Sequence, residues 1–185
     1  ITNELRNEGV YLKTGNGQLS VLSDDAAFIN DSTAITKINE NGQVVVEGAV
    51  TNNENSTIQI NGNISLTGDW SNNATAATSL GDNTVFGTVI FNGTTQQTIA
   101  GTTPTVFENF QLNNTEGLLM NQDFEIANNL AFSNGKINTL TNKVIAQEPV
   151  TFTGYDEGKY ISGKLRQYVS VGLFNLPLGN INNYE

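Results

Sequence analysis

The sequence predicts an all-β fold, a parallel β-solenoid (β-helix) whose coils take about 20 residues each. Three observations predict it: an internal repeat with an offset of 20 residues, a two-residue alternation of apolar side chains, and turn-forming pairs at the ends of the apolar runs. A strand–turn unit of this length cannot bury its own apolar face, so it has to stack on copies of itself. About nine such coils fit in 185 residues, which predicts a rod of roughly 40 Å.

The repeat is clearest between residues 41–53 and residues 61–73. Both segments begin with Asn-Gly, carry a central glycine (Gly48 and Gly68) and end with Asn-Asn. The same frame returns over residues 121–130, with Asn128 in the place of the central glycine. Asparagine is the residue other than glycine that best tolerates left-handed backbone, so this replacement suits the same corner.

Equivalent residues of stacked coils lie above one another at a spacing of about 4.8 Å. Apolar residues alternate with polar ones inside each copy, which is the pattern of a half-buried strand. We therefore predict three interior columns with one residue from each copy: Val44, Ile64 and Phe124; Val46, Leu66 and Ile126; Val50, Trp70 and Leu130. At a corner, Asn52 and Asn72 fall in register, where stacked amides can form a hydrogen-bonded ladder.

An antiparallel β-sandwich is the alternative, because its short strands are also separated by frequent turns. The sandwich does not explain a 20-residue frame of identities. No segment combines a 3.6-residue period with helix caps, so we expect little helix.

Composition excludes several classes of function. The chain has no His and no Cys, which removes the commonest general base and every thiol-based site. The net charge is −10, and no Lys or Arg lies between Lys37 and Lys136. Nucleic acids and phosphates require a basic surface, so we expect no nucleic-acid partner. No apolar run is long enough for a membrane span.

Carboxylate pairs are the only catalytic material in the sequence. They are Asp24-Asp25, Asp123 with Glu125, and Asp156-Glu157. Polysaccharide-cleaving sites use paired carboxylates, sometimes with Ca²⁺. The residues 20 and 40 positions from Asp123 and Glu125 are not acidic, so no acidic column forms, and solvated surface is the favoured interpretation. We therefore expect no enzyme and no cofactor, with Ca²⁺ as a weak alternative, and we assign no catalytic or metal-binding residue.

One long segment carries a family resemblance. Residues 87–115 read GTVIFNGTTQQTIAGTTPTVFENFQLNNT, and a second run of apolar and amide residues extends from Leu118 to Thr139. Together with Tyr160–Arg166 and Phe174–Gly179, these runs resemble the repeat region of very large cell-surface proteins of Bacteroidota. The resemblance covers roughly residues 41–184 and contains no catalytic motif.

This resemblance implies a right-handed parallel β-helix that is exported to the cell surface, commonly by the type IX secretion system. Adhesion and gliding-motility filaments are the usual setting. Because the open ends of a solenoid have to be capped, we expect capping or degenerate coils over residues 1–40, regular coils over 41–154, and a C-terminal cap or the start of a following module over 155–185. The resemblance also suggests a piece of a longer polypeptide. Asp31-Ser32-Thr33 also fits the O-glycosylation pattern of that phylum, which makes Ser32 a candidate modification site.

The expected function is a non-catalytic structural or adhesive segment of a secreted bacterial cell-surface protein. It would act as a stiff rod that presents or spaces binding surfaces. The expected partners are surface glycans or other cell-surface proteins, the secretion machinery during export, and neighbouring modules of the same chain. The alternative is a β-helix domain that binds or cleaves polysaccharide.

Overall fold

The computed structural model describes residues 4–13, 16–75, 78–80, 87–170 and 175–180; within them the side chains of 10–13, 23–26 and 78–80 are not described. The described residues contain strands and no helix, and they confirm a parallel β-solenoid. It has about seven turns with successive coils about 21 residues apart. The expected number of nine coils is too high, because several coils take more than 20 residues.

The strands follow one another along the chain with short corners between them. In order, they are β1 (Glu4–Asn7), β2 (Val10–Lys13), β3 (Gln18–Asn30), β4 (Ile35–Ile38), β5 (Gln43–Asn52), β6 (Thr57–Ile60), β7 (Asn63–Leu66), β8 (Trp70–Asn72), β9 (Thr78–Leu80), β10 (Thr88–Phe91), β11 (Gln97–Gly101), β12 (Thr105–Asn113), β13 (Leu118–Met120), β14 (Phe124–Asn134), β15 (Ile137–Asn138), β16 (Val144–Ala146), β17 (Thr151–Thr153), β18 (Ile161–Ser162), β19 (Leu165–Gln167) and β20 (Leu178–Gly179).

Each coil contributes one strand segment to each of three faces, and every ladder between named strands is parallel. Face 1 contains β1, the second halves of β3 and β5, and β8, β11, β13, β15, β18 and β20. Face 2 contains β2, β4, β6, β9, the first halves of β12 and β14, β16 and β19. Face 3 contains the first halves of β3 and β5, β7, β10, the second halves of β12 and β14, and β17.

The interior is a single apolar core built from in-register columns. On face 3 the longest column passes from one coil to the next through Leu19, Val44, Ile64, Val89, Phe110, Leu130 and Phe152. On face 1 a second column contains Leu5, Phe28, Val50, Trp70, Ile99 and Met120. Because successive strands are in register, each apolar side chain packs on its equivalents in the coils above and below.

All nine side chains of the predicted columns are at most 2 % exposed, but their grouping needs correction. The 20-residue pairs hold, since Val44 lies opposite Ile64, Val46 opposite Leu66, and Val50 opposite Trp70. The third members lie elsewhere. Phe124 and Ile126 are on face 2, beside Thr105 and Phe107, whereas Leu130 is on face 3 beside Phe110.

The error has a physical reason in one long coil. Ile64 pairs with Val89, a step of 25 residues, before the spacing returns to about 21 and reaches Leu130. Three periods of 20 residues counted from Ile64 reach Phe124, whereas the column itself reaches Leu130. The extrapolation therefore assigns Phe124 to the wrong face.

The same long coil interrupts face 2. There, β2, β4 and β6 form a separate three-stranded sheet, and β9 begins the ladder that continues through β12, β14, β16 and β19. Faces 1 and 3 continue through this level without a break, because β8 pairs with β11 and β7 pairs with β10.

The sheets also continue across residues 40/41 and 154/155, since β4 pairs with β6 and β15 with β18. The predicted domain boundaries at those residues stay a prediction.

Candidate functional site

The corner between faces 1 and 2 carries a ladder of asparagine side chains. The Nδ2 of Asn7 donates to Asn30 Oδ1 (3.0 Å), Asn30 donates to Asn52 (2.9 Å), and Asn52 donates to Asn72 (3.2 Å). The last three are at most 1 % exposed. The sequence predicts the rung between Asn52 and Asn72, and the structure extends it by two further coils.

The remaining polar atoms of the ladder are also bonded inside the protein. Asn30 Nδ2 donates to the Thr57 carbonyl (2.9 Å), and the Ser56 hydroxyl donates to Asn52 Oδ1 (2.7 Å). The column ends at Gly101, because a Cβ there would lie 2.0 Å from the Asn72 carbonyl oxygen. Buried amides with satisfied partners stabilise the corner, so the ladder is structural and offers no group to a ligand.

Ser32 lies outside the ladder in the turn that follows Asn30. It is exposed, has a left-handed φ of 58°, and donates its backbone N–H to Asp31 Oδ1 (2.9 Å). That hydrogen bond, with further ones from the Asn53 amide and the Arg6 guanidinium, lowers the pKa of the Asp31 carboxyl. The hydroxyl of Ser32 is therefore accessible from solvent, and its glycosylation stays a prediction.

The best-placed candidate carboxylates are held by neighbouring coils. Lys143 donates its Nζ to Asp123 Oδ2 (2.5 Å) and its backbone N–H to Asp123 Oδ1 (2.9 Å). Gln147 donates its Nε2 to Glu125 Oε2 (2.5 Å). These contacts tie one coil to the next.

Of the other two carboxylate pairs, Asp156 has described side-chain contacts. Asp156 is paired with Lys159 (3.0 Å) inside a tight turn, and this contact, together with the Gly158 N–H, lowers the pKa of the Asp156 carboxyl. Asp24 and Asp25 lie on β3, but their side chains are outside the described residues. Within the described ranges, no group of three or more His, Cys, Asp or Glu side chains is placed to hold a metal ion.

Trp70 belongs to the interior, as its repeat position predicts. It is 1 % exposed, its indole N–H donates to Thr105 Oγ1 (3.0 Å), and its ring packs edge-on against Phe107 at 5.5 Å. A tryptophan in this position supports the core and cannot stack against a sugar at the surface.

The outer surface of face 3 consists of two parallel ranks without charge. One rank contains Gln18, Gln43, Asn63, Thr88, Asn109, Asn129 and Thr151, and the other contains Ser20, Val45, Ser65, Ile90, Gln111, Ala131 and Thr153. These two ranks contain no charged residue in a chain with 18 acidic residues. A shallow notch of about 140 Å³ opens on this face where the small Ser65 lies between Val45 and Ile90.

A larger groove of about 240 Å³ lies along the corner between faces 3 and 1, beside β11, β13, β15 and β18. Its polar lining includes Gln96, Glu116, Lys136, Asn138 and Ser162. Glycine allows the neighbouring coils to approach closely at this corner: a Cβ at Gly135, where φ is +83°, would lie 1.8 Å from the Asn114 carbonyl oxygen. No local sequence pattern predicts this site; each of the three successive corners beside it contains a glycine, at the unequally spaced positions 117, 135 and 158.

These features define a parallel β-solenoid protein with an amide-laddered corner, a neutral face and a polar groove between faces 3 and 1. No protein-family model matches the chain, and neither the curated proteins nor the solved structures contain a significantly similar one. Within the part of the chain that the structure describes, no helix has the length and apolar character to cross a bilayer.

Proposed function

We propose that this chain is a non-catalytic structural or adhesive segment of a secreted bacterial cell-surface protein, a stiff rod that presents or spaces binding surfaces. The observation that carries the proposal is the uninterrupted in-register stacking of faces 1 and 3 around one apolar core. Each coil is tied to the next by backbone ladders, interior columns and corner amides, so bending the rod would break many contacts together.

The charge distribution supports the same role. The repeated middle of the chain lacks basic residues, and its outward ranks on face 3 are neutral. The two described carboxylates of that middle region that come closest to a catalytic pair, Asp123 and Glu125, are bonded to Lys143 and Gln147. A smooth amide and hydroxyl surface suits a spacer or an adhesive surface better than an active-site cleft.

The cellular setting is also part of the proposal. We propose that the chain acts outside the cell, exported by the type IX secretion system, in an adhesive or gliding-type assembly; the resemblance of residues 41–184 to Bacteroidota surface proteins supports this. Surface glycans or other cell-surface proteins would be its partners. Immunolabelling of intact cells of the source organism tests this: we expect labelling without permeabilisation, and labelling only after permeabilisation would contradict the location.

Stiffness is measurable with a pair of spin labels, because the chain has no native cysteine. Gln43 and Thr151 are exposed and belong to the same outward rank of face 3. Five strand spacings separate them, so Gln43→Cys with Thr151→Cys should give a mean distance of about 24 Å. We expect a narrow distribution of the distance between the two spin labels, measured by double electron–electron resonance spectroscopy.

The denatured chain in urea is the control for that experiment and should give a broad distribution. A broad distribution under native conditions would contradict the proposal, because a flexible array cannot hold binding surfaces at a fixed separation. Single-cysteine variants exclude distances that arise between molecules.

A further inference from the structure

The polar groove between faces 3 and 1 has the size of a site for one small group. Its volume of about 240 Å³ is below the range of roughly 300–1,000 Å³ that is usual for drug-sized ligands. A single sugar unit or one polar side chain fits such a space, whereas a nucleotide or an extended cofactor does not.

The hydrogen-bonding groups that line the groove indicate which class of ligand it can bind. The amides of Gln96 and Asn138 and the hydroxyl of Ser162 can each donate and accept hydrogen bonds. Lys136 can only donate, and Glu116 accepts. A hydroxyl-rich neutral ligand satisfies all of these groups together, because every sugar hydroxyl also donates and accepts.

Charged ligands fit the same groove less well. An anion would face Glu116 within a chain of net charge −10, and a cation would face Lys136. A neutral ligand can receive a hydrogen bond from the ammonium and donate one to the carboxylate, and charge-assisted bonds of this kind are stronger than those between neutral groups.

Lys136 is held in place for such a contact. Its Nζ lies 4.5 Å from the centroid of the Tyr160 ring, which is 1 % exposed and is anchored by its own hydroxyl to the Asn180 carbonyl (2.9 Å). Within the described residues, no carboxylate lies within ion-pair distance of Lys136. The aromatic ring therefore positions the ammonium while leaving it without an acidic partner.

The walls of the groove are also ordered before a ligand arrives. Asn138 Oδ1 accepts the Leu140 N–H (3.1 Å). At the far end, Asp156 and Lys159 exchange two backbone hydrogen bonds of 3.0 Å, which fix the turn that carries Gly158. A site built on rigid corners loses little conformational entropy on binding.

We propose that this groove binds one sugar unit of an uncharged glycan, with Lys136 and Glu116 as its two charged contacts. The inference rests on the proposed role of the rod as a carrier of binding surfaces and names the ligand class for one of them. It requires no bond-making step, so only affinity and location need to be measured.

The test is a titration of the ¹⁵N-labelled chain, followed by amide chemical shifts. The probes are maltotriose, laminaritriose and mannotriose, with trigalacturonate as the charged comparison. For at least one neutral trisaccharide we expect shifts confined to residues 115–118, 135–138 and 158–162, with a Kd on the order of 1 mM.

Two variants locate the binding. Lys136→Met keeps the aliphatic stem over Tyr160 but removes the donor, and should weaken binding roughly tenfold or more. Gly158 lines the groove, so Gly158→Leu should fill it and block binding. The fold should tolerate this substitution, because a Cβ at Gly158 meets only Asp156 Oδ1, at 3.5 Å. Gly9→Leu is the matched control, since that glycine has open space around it at the other end of the rod, and it should bind as the parent chain does.

Three outcomes would overturn the inference: no shifts with any neutral trisaccharide, tighter binding of trigalacturonate than of all three, or unchanged binding in both Lys136→Met and Gly158→Leu. None of these outcomes would alter the spin-label distance on face 3. Conversely, a flexible rod with an intact groove would overturn the proposed function and leave this inference standing, so the two failures are distinguishable.

Discussion

The chain up to β8 and the chain after β8 keep the same three faces with different side chains. Between Glu4 and Asn72 the interior is mostly aliphatic, and the corner is held by the four-asparagine ladder. From Trp70 onwards the interior contains five aromatic rings in mutual contact, Trp70, Phe91, Phe107, Phe110 and Phe124. The aromatic cluster begins at the level where Gly101 ends the ladder.

The difference shows that the coil, rather than a particular residue type, is the repeated unit of this fold. In the first region, directional amide hydrogen bonds fix the register at a corner. In the second, stacked and edge-on rings fill the interior, with Phe110 stacked on Phe91 at 4.9 Å and on Phe124 at 5.2 Å. Ring packing is thus added in the second region, where amide contacts between coils also occur, as in the hydrogen bond from Asn114 Nδ2 to Gln97 Oε1 (3.0 Å).

Leu66 links the two regions, since it pairs with Val46 below and Phe91 above. Leu66→Asp would place an unpaired carboxylate at a position that is 0 % exposed. We expect a loss of at least about 4 kcal/mol in the free energy of unfolding and the cooperative loss of several coils, measured by urea denaturation with circular dichroism.

Ser65→Asp is the matched control for that change. Ser65 lies on the same strand but faces outwards, so its replacement should leave the midpoint nearly unchanged. An unchanged urea denaturation midpoint for Leu66→Asp would contradict the assignment of Leu66 to the interior.

Phe110→Ala tests the aromatic region. Phe110 is 0 % exposed and stacks on two rings, so truncation should leave a cavity and cost about 3–5 kcal/mol. Native-state hydrogen exchange should show the loss of protection in β10, β12 and β14 first. The outward Gln111→Ala is the control, and equal effects of the two substitutions would show that the rings do not secure this region.

Asn52→Ala tests the ladder region. The Asn52 side chain accepts from Asn30 Nδ2 (2.9 Å) and Ser56 Oγ (2.7 Å) and donates to Asn72. Leaving these buried partners unsatisfied should cost about 2–3 kcal/mol, with protection lost first in β3, β5 and β8. Thr51→Ala, on the outward side of the same strand, should have a small effect; a larger one than Asn52→Ala would contradict the ladder's role.

The smallest expected effect concerns pH at the ladder end of the rod. The pKa of Asp31 lies below its ordinary value of 3.8 because Ser32 N–H, Asn53 and Arg6 favour the charged form. The resulting stability is present above that ordinary value and is lost as the pH falls through the lowered one. Asp31→Asn should therefore reduce the drop in melting temperature between pH 5 and about pH 2. An identical drop in both proteins would contradict this contribution.

The fold could be predicted because the two-residue alternation of its strands and the Asn-Gly pairs at its corners are visible within short stretches of sequence. The register of Val44 with Ile64 follows from a 20-residue offset with no insertion. The placement of Phe124 and Ile126 failed because the coil after Asn72 is longer, and the number of residues in a corner is not set by the strands on either side.

The candidate site was harder to predict than the fold. The ladder could be anticipated at Asn52 and Asn72, but Asn7 and Asn30 join it at offsets of 23 and 22 residues, outside the repeat frame. The groove is lined by glycines of three corners and by Lys136, whose ammonium lies over Tyr160 in the next coil. Neither feature produces a local pattern, because both arise only when separate coils stack.

The 20-residue offset between Asn52 and Asn72 also has a genetic consequence. A tandem duplication of about 60 nucleotides over this segment would add one complete coil, with its own strand on each face and its own rung on the ladder. No new side-chain contact would have to evolve, because the inserted coil meets copies of its existing neighbours. Replication slippage could thus adjust the reach of the protein in steps of about 4.8 Å.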